Sequence, residues 1–365
     1  MNGRFDIAII GAGIAGASLA AELAPHARVV LLEAEDRPGR HASGRSAAFW
    51  MESYGGPAIL PLTIASGPWL ADGGFLGERG ALTLARAGQE AQLERFLADF
   101  AAAGVRIERR DRAALEAAVP GLREGWIAGA YERDCRDIDV AGLHGWYLAR
   151  AQAAGGELRC KAALVSARQS GGSWALETAE GTPLACDMLV NAAGAWADPV
   201  AQIAGVRPLG IAPFRRTMVQ LRTAPPASAR LPLVLDLAER FYFKPESGRL
   251  WLSPHDETPS PPCDAAPEEI DVAVAIDRLQ GVVDWRVEQV EHKWAGLRSF
   301  APDRLPVYGR DPANPAFFWF AGQGGYGFQT APAAARLAAQ DLLGLPEDSL
   351  TAGLDRALYS AARFA

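Results

Sequence analysis

A short apolar run, a glycine-rich turn and an alanine-rich helical stretch follow one another at the N-terminal end, and this succession constrains the fold more than any other feature. Phe5 to Ile10 (FDIAII) reads as a buried strand. Gly11-Ala12-Gly13-Ile14-Ala15-Gly16 follows, then ASLAAELA, then a second strand, Arg28 to Leu32, that ends at Glu33. This is a βαβ unit with G-x-G-x-x-G at its first turn. Gly11 permits the tight turn, Gly13 lets backbone amides approach a pyrophosphate, and Gly16 lets the helix pack on the strand. The positive end of the helix, beginning at Ile14 and Ala15, then faces phosphate. Glu33 lies twenty residues beyond Gly13, where an acid accepts hydrogen bonds from ribose hydroxyls. The motif alone does not decide between NAD and FAD.

Ile7 to Ala24 is nearly all apolar and could be mistaken for a membrane span, but three glycines interrupt it, which suits a strand and helix. No other stretch resembles a transmembrane segment. The net charge of −7, with no basic run, argues against a nucleic-acid partner. Four cysteines and five histidines are scattered without metal-binding spacing, so no metal is expected. Scattered reduced thiols fit a cytoplasmic location.

Three further segments carry glycine or small residues at strand ends. AEDRPGRHASGRSAAFW follows Glu33 and is loop-like, able to run along a ligand. DMLVNAA (187–193) is a buried strand followed by Gly194-Ala195-Trp196. FFWFA (317–321) is another strand; it leads through Gly322-Gln323-Gly324-Gly325-Tyr326-Gly327-Phe328-Gln329-Thr330 into the helical pattern AAARLAAQDLLG. A second glycine-rich loop feeding a helix suits a ligand with two ends to hold.

Together these pieces resemble the FAD-dependent D-amino acid oxidase superfamily, and most nearly the D-arginine dehydrogenases and related D-amino acid dehydrogenases. The matching runs are IIGAGIAGAS, PGRHASGRSAA, LVNAAGAWAD, RFYFKP, WAGLRSF and QGGYGFQT, in family order and spanning nearly the whole chain. The resemblance implies an α/β fold: a Rossmann-type FAD-binding domain (1–50, 140–210 and 296–365) interleaved with an α+β substrate domain (51–139 and 211–295) built on an antiparallel sheet. Residues 214–222, 231–243 and 249–253 alternate like strands of such a sheet, Glu268 to Leu279 reads as a helix, and the prolines from Pro254 to Pro267 mark a loop.

The resemblance also implies roles. Gly11, Gly13, Gly16 and Glu33 would hold the ADP half of FAD. Ser43, Arg45, Ser46 and Ala47 would line the pyrophosphate and flavin edge. Val165 would meet the adenine through its backbone, Ala193, Gly194 and Trp196 would lie beside the cofactor, and Gly324 to Thr330 would wrap the flavin.

Oxidising an amino acid at Cα requires an anchored carboxylate and a neutral amine, with the flavin supplying the redox chemistry. Arg298 in WAGLRSF is the first candidate anchor, because a guanidinium grips a carboxylate with two parallel bonds. Arg216 competes with its neighbour Arg215 for a second such place. Tyr242 and Tyr54 match substrate-facing positions, and Gln329 and the Gly325 carbonyl would touch the amine.

This chain departs from the basic-substrate enzymes. Where those carry an acid, residues 80–84 read GALTL, and Phe49-Trp50 replaces a His-Tyr pair. A neutral, apolar or aromatic D-amino acid is therefore expected, unless Glu52 or Glu78 supplies an acid from another direction. A secondary amine of the sarcosine, glycine or proline type, or an L-2-hydroxy acid, is the alternative substrate. Trp251 stands near the place where some oxidases carry lysine, with Lys293 a distant alternative. An electron acceptor such as a quinone is accordingly expected in preference to oxygen.

Overall fold

The computed structural model describes residues 3–365. Its first sheet is eight-stranded and grows from the N-terminal motif. The strand Arg4–Ile10 lies between Val29–Leu32 and Leu184–Asn191, parallel to both. Glu157–Arg159 extends one side and Phe317–Ala321 the other, also in parallel. Val29–Leu32 and Phe317–Ala321 are buried throughout, which is why they read as continuous apolar runs without alternation. The helix Ile14–Leu23 packs between this sheet and the helices Val140–Ala153 and Gly327–Leu343, in one core with Ile9, Leu31 and Phe318. The 7–24 stretch is thus a strand and a helix broken at the glycines. Among the described residues, no helix is long and apolar enough to cross a membrane.

The second sheet is nine-stranded. Its backbone is the long antiparallel pair Ala212–Ala224 and Arg286–Phe300. Arg249–Ser253, Tyr242–Glu246 and Leu233–Asp236 follow in antiparallel order. Leu233–Asp236 then runs parallel to Ala81–Arg86, so the sheet is mixed at that one junction. Residues 231–243, expected as one strand, form two. Asp236 ends the first by accepting bonds from the Ala238 amide (3.1 Å) and the Arg240 guanidinium (2.6 Å), a local turn that competes with strand pairing.

Two stretches differ from the domain limits expected from sequence. Position 296 falls inside a strand that pairs along its whole length with the second sheet. The helix Leu60–Asp72 contributes Leu62 and Leu70 to the core of the first sheet, although residues 51–139 were expected in the substrate half. Both errors share a cause. A change of sheet within a continuous strand, or a helix that leans on another domain, leaves no mark in local composition.

Candidate active site

Two cavities share Gly13, Ala42, Ser43, Ala192, Gly194 and Leu297 and so form one trench at the ends of the parallel strands. Its first half is lined by Gly11, Glu33, Glu35, His41, Ala193, Gly194 and Trp196. Its second half is lined by Ile14, Ala15, Ser46, Ala47, Gly324, Gly325, Gly327 and Phe328, and ends on Arg216, Tyr242 and Arg298.

The first half is a cradle that side chains would fill. A Cβ at Gly11 would stand 2.6 Å from the Ala192 carbonyl oxygen, and Gly11 has φ +99°. A Cβ at Gly13 would stand 2.9 Å from Ser43 Oγ. Ser43 Oγ accepts the Ile14 amide at 2.9 Å, occupying one donor at the helix N-terminus where an anion would bind. Glu33 receives the amides of Ala12 (2.9 Å) and Glu35 (3.0 Å), so its carboxylate fixes the glycine turn and lines the trench beside it. The small residues, the helix end and the acid fit an adenine dinucleotide laid along the trench, with its pyrophosphate over Gly13.

At the other end, strand periodicity explains the arginines. Arg216 faces Gly296 across the long strand pair, and Arg298 faces Phe214, so the two arginines share one side of the sheet. Gly296 leaves open the space that a side chain opposite Arg216 would occupy. Arg215, on the other side, is paired with Glu268 and Asp271, and of the two neighbours it is Arg216 that lines the trench. Arg216 is 4% exposed; it donates Nε to the Asp256 carbonyl (2.7 Å) and one Nη to Glu257 (3.3 Å), while its other Nη has no partner. Burial, and then the nearby Arg298, push its pKa down.

Arg298 is surrounded by phenols. It donates to the Tyr54 hydroxyl at 2.8 Å, and although burial acts to lower its pKa, Tyr54, Tyr242 and Tyr326 hold it above the usual arginine value. Gly325 is glycine for a reason visible here: a Cβ would lie 2.9 Å from the Arg298 guanidinium and 2.9 Å from the Tyr54 hydroxyl. Tyr242 donates to Met218 Sδ at 3.2 Å. Beside this end lies an apolar cluster of Phe49, Met51, Ala81, Met218, Leu233 and Tyr242. Glu78 is exposed, and half-buried Glu52 lies near Asp134 and Arg106; neither lines the trench.

Several expected positions are corrected. The Arg45 guanidinium turns away to the carbonyls of Ala265 (2.8 Å) and Ala295 (2.9 Å) and to Asp264, tying down the proline-rich loop, and only the rest of the residue borders the trench. Val165 follows the wall residues Ala162, Ala163 and Leu164 at a bulge with its side chain exposed, which leaves the expected backbone contact untouched. Thr330 is buried and donates its hydroxyl to the Tyr326 carbonyl (2.8 Å), away from the trench wall. Gln329 is likewise internal: its amide nitrogen reaches Thr63 Oγ1 (2.9 Å) and the Tyr54 carbonyl (3.2 Å), and its oxygen accepts the Met51 amide (3.4 Å). Gln329→Leu should therefore lower thermal stability by about 1–3 kcal/mol through the unpaired partners it leaves. A melt unchanged from wild type would contradict that internal role.

His255 was not singled out by sequence. It is half-buried at φ +57°, packs edge-on against the Tyr242 ring (5.8 Å), and is kept neutral because desolvation and the two arginines push its pKa down to about 2. A lone histidine in SPHDE offers no pattern that would reveal it.

Comparison with known proteins agrees with this geometry. The family model described as FAD dependent oxidoreductase matches residues 6–341. Glycine oxidase of Geobacillus kaustophilus is 26% identical over 350 residues, covering 91% of each chain. Its crystal structure superposes with a TM-score of 0.86 at 24% identity, covering 99% of both chains. L-proline dehydrogenase from P. horikoshii superposes with a TM-score of 0.85 at 20% identity, covering 100% of this chain and 98% of that one. L-2-hydroxyglutarate dehydrogenase of Salmonella houtenae is 27% identical over 239 residues, 58% of this chain and 53% of its own. With a matching model over nearly its whole length and a trench shaped for the dinucleotide, the chain belongs to the FAD-dependent oxidoreductase family and is an FAD-dependent enzyme.

Proposed function

We propose that this enzyme oxidises the α-carbon of a free D-amino acid with a neutral, apolar or aromatic side chain, giving an imine that water converts to a 2-oxo acid and ammonia. The observation that carries this reading is Arg298, a half-buried cation at the trench wall whose neighbours are phenols instead of carboxylates, beside an apolar cluster. A charge drawn partly out of water without a counter-charge is costly and favours an anionic ligand. FAD, when bound, supplies the hydride acceptor. The chain's own residues hold the carboxylate with the Arg298 fork, steady it with the Tyr54 and Tyr242 hydroxyls, and exclude water with Phe49, Met51 and Met218. The Gly325 carbonyl orients the amine.

The D-amino acid reading is supported by motifs that resemble those of D-arginine dehydrogenases, and the neutral side chain by the apolar Phe49, Met51 and Met218 beside this end of the trench. A second reading has comparable support. Relatives named glycine oxidase, L-proline dehydrogenase and L-2-hydroxyglutarate dehydrogenase show that the same scaffold carries other amines and hydroxy acids. A secondary amine or an L-2-hydroxy acid would use the same carboxylate anchor.

The electrons are read as passing to a quinone or another carrier. Lys293 is paired with Glu269 at the surface, and Lys244, near Trp251, is neutralised by Asp137 (2.8 Å) and Glu246 (3.5 Å). Neither offers a free ammonium to the trench.

Anaerobic bleaching of the yellow protein, followed at the flavin band, tests the reading against D- and L-amino acids, sarcosine, proline and 2-hydroxy acids. Bleaching by an apolar D-amino acid with release of ammonia is the expected result. Bleaching only by secondary amines or hydroxy acids would transfer the assignment to the second reading.

A further inference from the structure

The loop from Met51 to Gly55 carries Tyr54, whose hydroxyl meets Arg298, and the loop is gripped from below by a buried acid. Glu132 ends the strand Trp126–Glu132, opposite Ala81, and is 1% exposed. One carboxylate oxygen accepts the Glu52 amide at 2.7 Å and the other accepts the Ser53 hydroxyl at 2.5 Å. These are the two residues immediately before Tyr54. No cation pairs with Glu132 among the described residues, and burial raises its pKa to about 7 despite both hydrogen bonds. A buried carboxyl is an expensive way to hold a loop.

We propose that Glu132 is a positioning residue that sets the Tyr54 hydroxyl against Arg298 and so governs how firmly the site holds a carboxylate. The proposal rests on the reading of Arg298 as carboxylate anchor. Two donors converge on Glu132, and the ionised form offers two acceptors. The protonated form replaces one acceptor with a hydroxyl donor, so the Ser53 arm is no longer charge-assisted and the grip weakens. The titratable groups facing Glu132 are the Glu52 carboxyl, from the gripped loop, and the Cys135 thiol, from the turn after the strand; the facing Ala81 brings none. Asp134 and Arg106 act in turn on Glu52. The grip is therefore complete above about pH 7 and weakens as pH falls through that value.

The test is titration of the FAD-loaded protein with benzoate, followed by the shift it causes in the flavin spectrum. In wild type, binding should tighten as pH rises through about 7. Glu132→Gln, which mimics the protonated form, should weaken binding roughly fivefold at pH 8, the net worth of about one hydrogen bond, and flatten that profile. On a Tyr54→Phe background the same substitution should have no further effect, because the two residues act in series. An equal loss on both backgrounds would mean that Glu132 supports the fold generally, and would overturn the proposal. So would unchanged binding in Glu132→Gln. If Glu132→Gln does not fold, the wild-type profile decides: a flat profile between pH 6 and 8 (about one unit either side of the Glu132 value) overturns the proposal. Benzoate binding that survives Arg298→Ala would instead remove the anchor reading on which the proposal stands, whereas loss in Arg298→Ala with indifference to Glu132→Gln removes this proposal alone.

Discussion

Arg298→Lys should lower kcat/KM by roughly 30-fold to several thousand-fold, the equivalent of 2–5 kcal/mol for truncating one partner of a buried charge pair, while leaving the FAD content unchanged. Lysine keeps the charge and most of the length, so the loss isolates the geometry. The guanidinium presents parallel donors to a carboxylate, and an ammonium presents one compact charge. The surroundings of Arg298 are built for the fork. Gly325 has no side chain to crowd it, Tyr54 receives one of its donors at 2.8 Å, and the strand pairing holds its backbone between fixed neighbours. A lysine nitrogen would satisfy the Tyr54 hydroxyl or the substrate, but not both in the same geometry. FAD content is the control, because Gly11 and Glu33, which line the dinucleotide half of the trench, do not line its Arg298 end. Unchanged KM and kcat would sink the assignment of Arg298 and leave Arg216 as the remaining cation on that side of the sheet.

The two ends of the trench were unequally legible in the sequence. The dinucleotide end is encoded locally: strand, glycine turn, helix, strand and Glu33 occur within about thirty residues, each with its own physical requirement. The glycines fall where a Cβ would collide with backbone or with Ser43. The substrate end is assembled from residues far apart in the chain, and there sequence reading depended on the family resemblance. It brought Arg298, Tyr242, Tyr54 and Gly325 to one place, but it could not choose between Arg215 and Arg216. Strand parity made that choice, and parity is known only once the register with Arg286–Phe300 is known.

The misplaced residues share a different cause. Gln329 and Thr330 follow Gly325 by four and five positions, but the helix Gly327–Leu343 has already begun, so they project along its inner turns toward Thr63 and the Tyr326 carbonyl. A run of sequence that wraps a ligand as a loop ceases to do so once it becomes helical. Arg45 shows the converse. Its backbone lies where the motif puts it, and its long side chain is drawn off by Asp264 and by the carbonyls of Ala265 and Ala295. His255 and Glu132 were missed because each stands beside other polar residues, in SPHDE and YERD, and reads as part of an exposed stretch. Only burial and partners distinguish them.

Gly16→Ala and Gly13→Ala should both produce colourless protein, but for different reasons that stability can separate. A Cβ at Gly16 would lie 1.8 Å from the Gly11 carbonyl oxygen and 3.2 Å from Leu31 Cδ1. The first of these atoms is backbone, so the helix Ile14–Leu23 must lift away from the strand Arg4–Ile10. Overpacking of a buried contact costs about 1–3 kcal/mol, and a clash with rigid backbone belongs at the upper end or beyond. Gly13 has φ −70° and ψ −174°, a conformation open to alanine, and its nearest obstacle is the Ser43 hydroxyl at 2.9 Å, a side chain that can rotate. Alanine there should cost the apoprotein about 1 kcal/mol, the worth of the Ile14 amide bond to Ser43 that rotation gives up. It should still exclude FAD, because the methyl group fills the space over which the pyrophosphate must pass. The comparison has to be made on proteins stripped of FAD, since ligand binding alone raises the apparent melting temperature of wild type. Gly16→Ala apoprotein should then melt several degrees below the other two. A yellow, fully loaded Gly13→Ala protein would mean that the pyrophosphate does not cross the trench at Gly13. A Gly16→Ala apoprotein as stable as wild type would mean that the helix tolerates displacement from the sheet, and that its glycine serves the cofactor and not the fold.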